Sequence, residues 1–118
     1  MVRPFVYITA AWSGNKEGAK EAAETYCRRI YEAGYAPVCP ILFLGDYLNP
    51  ESAEEVKDYA DMAAELLRRS RMLAVCGNGV DAQVKSDIAL AKRLRITATT
   101  LDGIMKVEGK GKKTDEKR

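Results

Sequence analysis

The chain has 118 residues, 47% of them hydrophobic and 31% charged, and a net charge of +2. These values fit one globular domain large enough to bury a core, and they exclude a strongly basic nucleic-acid-binding body and any bilayer-spanning run of about 20 apolar residues. Histidine is absent and Cys27, Cys39 and Cys76 form no C-x-x-C pair, which excludes Ser-His and Cys-His catalysis and argues against a disulfide framework or a zinc site.

In chain order, Phe5 to Thr9 is β-branched and aromatic, the composition of a strand covered on both faces; it reads as a first strand rather than as a secretory leader. "WSGN" follows as a turn, with Ser13 or Asn15 placed to cap a helix. Ala19, Ala22, Ala23, Tyr26, Cys27, Ile30 and Ala33 recur at helical spacing, and Gly34 stands where that helix should end. Tyr35 to Pro40 is a second short strand, and "ILFLGDYLNPES" a loop with exposed apolar residues. Pro50 and Ser52 then open a helix whose apolar face is Ala53, Val56, Ala60, Ala63 and Leu67. Met72 to Cys76 is the third strand, Ala82 to about Leu94 the third helix, and Ile96 to about Ala98 a fourth strand. Past Gly103 the composition turns to glycine and charge, so residues 1–103 are expected to form the domain and 104–118 a charged tail with little order.

Strands alternating with helices predict a doubly wound parallel sheet of four to five strands, and its ligand site belongs beyond the carboxyl ends of the strands. Ala10 to Asn15 and Gly77 to Asp81 fall there. Gly77 and Gly79 permit close approach of a ligand to the backbone, although a turn needs glycine for positive φ in any case. Asp81 sits at the N-cap of the third helix, where capping alone accounts for it. Asp87 lies on the flank of the apolar face formed by Val84, Ile88 and Ala91, either at the edge of a cleft or in solvent. Trp12 and Tyr47 are placed to stack on a base or simply to pack within their loops. Arg68, Arg69 and Arg71 are either phosphate partners or a basic helix end.

Three segments, in this order, resemble the nucleoside 2-deoxyribosyltransferase-like superfamily, and within it a group of small bacterial and phage domains. "VYITAAWSGN" is similar to the opening V-Y-I-S-S-P-Y-S-G, with Tyr7, Ser13 and Gly14 in matching places. "AGYAPVCP" resembles G-Y-x-P-x-x-P. "LAVCGNGVDAQVKSDIALAKRLRI" resembles a segment ending S-x-G-M-x-x-E-I-x-x-A-x-x-x-G-I. The resemblance implies a three-layer flavodoxin-like, or Rossmann-like, fold and a nucleoside or nucleotide ligand. In relatives a glutamate on this helix attacks the anomeric carbon, expels the base, and leaves a sugar ester for another base or water to capture. It therefore implies Asp87 as nucleophile, one methylene shorter than glutamate, with Asp81 handling a proton and Tyr7 beside the carboxylates. Trp12, Ser13, Gly14, Gly77 and Gly79 would bind the ligand.

Two functions follow. One is an enzyme cleaving or transferring at the N-glycosidic bond of a (deoxy)nucleoside or its monophosphate. The other is a non-catalytic module that senses or sequesters a nucleotide in a retained cleft. Under either, the protein is expected to be cytoplasmic and homo-oligomeric, without metal or cofactor and without a nucleic-acid or membrane partner.

Overall fold

The computed structural model describes residues 2–12 and 16–106. Strands β1 (Phe5–Ala10), β2 (Ala36–Val38), β3 (Met72–Cys76) and β4 (Thr97–Thr100) form one parallel sheet in the order β2-β1-β3-β4, the flavodoxin-like order. Helices α1 (Lys16–Glu32), α2 (Leu44–Tyr47), α3 (Ala53–Arg68) and α4 (Ala82–Arg93) connect the strands. The register sets Tyr7 beside Val38 and Leu73, and Thr9 beside Val75.

Alternation along β1 divides the molecule into two layers. Val6, Ile8 and Ala10 face Ala23 and Ile30 of α1, together with Leu101 and Ile104 from a helical run over residues 101–106. Tyr7 faces the other way, into a cluster with Ala63 and Leu67 of α3, Leu73, and Ala91 of α4. The helical run continues through residue 106, with Ile104 2% exposed beyond Gly103; the remainder of the tail, 107–118, lies outside the described residues.

Chain ends of the elements follow local chemistry. Gly34, at φ 101°, closes α1: its N–H reaches the Tyr31 carbonyl and the Tyr35 N–H reaches that of Ile30. The same pair of bonds ends α4, from Arg95 to Lys92 and from Ile96 to Ala91, with Arg95 at φ 59° where glycine is usual. Ser52 Oγ accepts the Glu55 N–H at 3.2 Å and caps α3.

Three expectations are corrected. The second strand is only Ala36–Val38, because Pro40 opens a 3-10 turn through Leu42; Pro37 is accommodated on an edge strand. The following loop contains the single-turn α2, which buries Leu44. On α3 only Ala63 and Leu67 of the predicted face are buried, whereas Ala53, Val56 and Ala60 are exposed. In a parallel α/β sheet the helices run back against the strands, so the first turns of α3 lie at the carboxyl rim, beside a cleft rather than the sheet. Among the described residues, no helix is long and apolar enough to cross a membrane.

Candidate active site

The sheet's order reverses between β1 and β3, and both strands end at the same rim. β1 runs into Ala11 and Trp12; β3 runs through Gly77 and Gly79 to Asp81 and α4. Asp87, in the second turn of α4, turns toward β1 and is 9% exposed. The Thr9 hydroxyl donates to its Oδ2 at 2.6 Å, and Gln83 Nε2 donates to its Oδ1 at 3.0 Å. Each carboxylate oxygen thus has one fixed donor. Burial pushes the Asp87 carboxyl up from the ordinary aspartate value; the Thr9 and Gln83 hydrogen bonds pull it down in part, and nearby Asp81 raises it.

Tyr7 precedes Thr9 by two residues on the same face of β1 and is buried. Burial, and then the Asp87 charge, hold its phenol protonated far above the usual tyrosine range. Tyr59 of α3 packs against the same cluster, and burial, with Cys39 and Asp87, pushes its phenol up to about 12. Asp81 is the N-cap: its Oδ1 accepts the Val84 N–H at 2.9 Å, and its side chain is exposed. Asp87, Tyr7 and Asp81 are therefore brought to one corner of the rim, with Asp81 engaged by the helix backbone.

Two clefts open at this rim. One, of about 380 Å³, runs between α1 and the 41–50 loop; Trp12, Ile41, Leu48, Val56 and Tyr59 give it an apolar lining, and Lys16 stands at its edge. A Lys20–Asp46 ion pair at 3.2 Å joins its walls. The other, of about 310 Å³, lies on the α1 side of β3 and is walled by Trp12, Tyr26, Gly77, Asn78 and Gly79. Trp12 borders both and leans against Tyr26, with ring centroids 6.1 Å apart. Asp87 lines neither of these two clefts; Tyr59, which lies within reach of its charge, lines the first.

Gly77 and Gly79 are accounted for by the chain's own conformation and packing. Gly77 has φ 77°, and a Cβ there would lie 3.1 Å from Tyr26 Oη; one on Gly79 would lie 3.1 Å from Ala11 Cβ. Ser13 and Gly14 lie outside the described residues. Tyr47 is largely exposed and Arg68 and Arg69 both pair with Glu65, so none of these three is part of the carboxylate corner. Among the described residues, no group of three or more Cys, Asp or Glu side chains is arranged to hold a metal ion.

Thr9, Gln83 and Tyr59 were not recognisable as site residues from the sequence reading. The available signals were the two-residue step from Tyr7 to Thr9, the four-residue step from Gln83 to Asp87, and the three-residue offset of Tyr59 from Val56 on α3.

The family described as "Domain of unknown function (DUF7768)" matches residues 4–101. No curated protein matches the sequence. Among solved structures, the chain is similar to a 2-deoxyribosyltransferase from the psychrotolerant bacterium Bacillus psychrosaccharolyticus, described as a biocatalyst for synthesis of antiviral and antitumoral nucleosides. The TM-score is 0.68 at 9% identity, covering 81% of this chain and 70% of that one. At that identity the likeness is one of fold.

Proposed function

The chain belongs to the DUF7768 domain family, and we propose that it binds a nucleoside or nucleoside monophosphate at the carboxyl rim and acts on the N-glycosidic bond, with Asp87 as nucleophile. The observation that carries this reading is the buried Asp87 carboxylate, held at the strand-order switch point by Thr9 and Gln83. A carboxylate fixed through both oxygens keeps one lone pair on each for other work, and its restricted motion favours in-line attack. In the proposed reaction an Asp87 oxygen bonds to the anomeric carbon as the C–N bond to the base breaks. The resulting ester is then opened by a second base or by water, which restores the carboxylate. Tyr7 orients the carboxylate, Asp81 serves the proton of the leaving base, and Trp12, Ser13, Gly14, Gly77 and Gly79 hold the ligand. The Tyr59 phenol, protonated at neutral pH, is a hydrogen-bond donor on the cleft wall nearest the carboxylate. The fold it shares with a 2-deoxyribosyltransferase supports the substrate class.

A second reading, a nucleotide-binding module without turnover, is favoured by two observations: Asp87 borders neither cleft, and its two oxygens already have protein donors. One experiment separates the two. Purified protein is incubated with deoxynucleosides and their monophosphates, with and without an acceptor base, and free base is followed by chromatography. Release that is lost in Asp87→Ala supports catalysis. Saturable ligand binding without release, in the native chain and in Asp87→Glu alike, supports the module. Absence of both binding and release sinks the proposal.

A further inference from the structure

We propose that the outer edge of β4 pairs antiparallel with β4 of a second copy of this chain, joining two four-stranded sheets into one continuous sheet. The inference is independent of the proposed activity, whose carboxylate lies between β1 and α4. The two edges of the sheet are unlike. At one, β2 spans only Ala36–Val38 and includes Pro37, whose nitrogen has no proton to donate. At the other, β4 (Thr97–Thr100) holds no proline and no charge, and its register against β3 is unbroken. Such an edge presents a row of backbone donors and acceptors to a further strand. Thr97, Ala98 and Thr100 are exposed, and threonines suit cross-strand pairing. The chain itself turns away after β4. Thr100 Oγ1 accepts the Gly103 N–H at 3.0 Å, and the helical run over residues 101–106 packs Leu101 and Ile104 into the α1 layer, on a face of the sheet.

Charges beyond the two ends of β4 select a second copy as the occupant. Arg95 lies three residues before Ala98, and Asp102 three residues after Thr99. Both are exposed, and neither enters an ion pair among the described residues. A self-paired antiparallel strand sets one residue opposite its own copy on a two-fold axis. With that axis at Ala98 or Thr99, Arg95 falls within one residue of the position opposite Asp102 of the partner subunit, an offset the arginine side chain spans. The symmetry makes this pair twice, so the surface is complementary to itself. Arg95 also holds φ 59°, a conformation in which glycine is at ease, so the fold gains nothing from a side chain there. In the paired sheet its guanidinium has a partner.

The test is sedimentation velocity of the full chain from micromolar to millimolar concentration, with amide hydrogen exchange at both ends of that range. The expected result is a reversible monomer–dimer equilibrium in which exchange over Thr97–Thr100 slows only in the dimer. Arg95→Glu and Asp102→Arg each raise the dissociation constant about tenfold, and the two reversals combined return it toward the native value. Arg95→Gly also loosens the dimer while relieving the backbone. Thermal melts of the dilute variants identify any that misfold, and the native chain decides the matter without them. A chain that stays monomeric throughout overturns the proposal. So does a dimer indifferent to both reversals, or exchange over Thr97–Thr100 that is slow at every dilution, which would mean that the chain covers this edge itself.

Discussion

Thr9 and Asp87 are 78 positions apart in the chain, yet a 2.6 Å hydrogen bond joins them in the interior. Removing the hydroxyl with Thr9→Val leaves a buried carboxylate oxygen without its donor, a change worth about 1–3 kcal/mol. Urea unfolding should show that loss at neutral pH and a smaller one in acid, where the protonated carboxyl needs one donor fewer. Asp87 itself has a folded pKa above its unfolded one, so the folded chain binds the proton more tightly. Stability therefore falls as pH rises from the ordinary carboxylate value through the raised folded value, and this effect is constant above it. Asp87→Asn lacks that titration: its melting temperature should gain on the native chain as pH rises across this window, and a gap that stays flat would contradict the assignment. If Asp87 is the nucleophile, base release should climb over the same window as the carboxylate ionises. The positions of the two aspartates were readable because they stand at the start of a helix that follows a strand, whereas Tyr7 was singled out only by the resemblance of its strand. Thr9 and Gln83 were not readable, because a hydroxyl and an amide acquire a role only once the strand and helix that carry them are set side by side.

Among the elements, α4 shows most clearly how local conformation and long-range packing part company. Arg95 takes the left-handed conformation at φ 59° that ends the helix, a conformation costly for a side chain with a Cβ. The segment resembled by this stretch has glycine at that place. Arg95→Gly should raise stability by about 0.5–1 kcal/mol, read as a higher urea midpoint at unchanged slope. Alternating strand and helix patterns, Gly34 and the Ser52 cap were all readable because each depends on a few neighbouring residues. The burial of α3 was not. Val56 and Ala60 satisfy a helical apolar spacing, but spacing alone does not distinguish a face against the sheet from one against an open cleft. Pro40 likewise reads as a strand end, while the turn it opens depends on Ile41 and Leu42 packing against the core.

On the scale of the molecule, the sheet separates two unlike interiors. The α1 layer is apolar and holds the thiols, while the α3 and α4 layer contains a carboxylate and two protonated phenols. The apolar layer is closed by Leu101 and Ile104, at the point where composition had predicted the end of order. Ile104→Ala should cost about 2–5 kcal/mol as a buried aliphatic truncation, measurable as a fall in thermal midpoint; a neutral result would place residue 104 outside the folded unit. Trp12 is the chain's single indole and the shared partition of two neighbouring hollows. Its ultraviolet emission is thus a built-in optical gauge: a solute entering either hollow should change its intensity or colour, and titrations can be followed without attaching a dye.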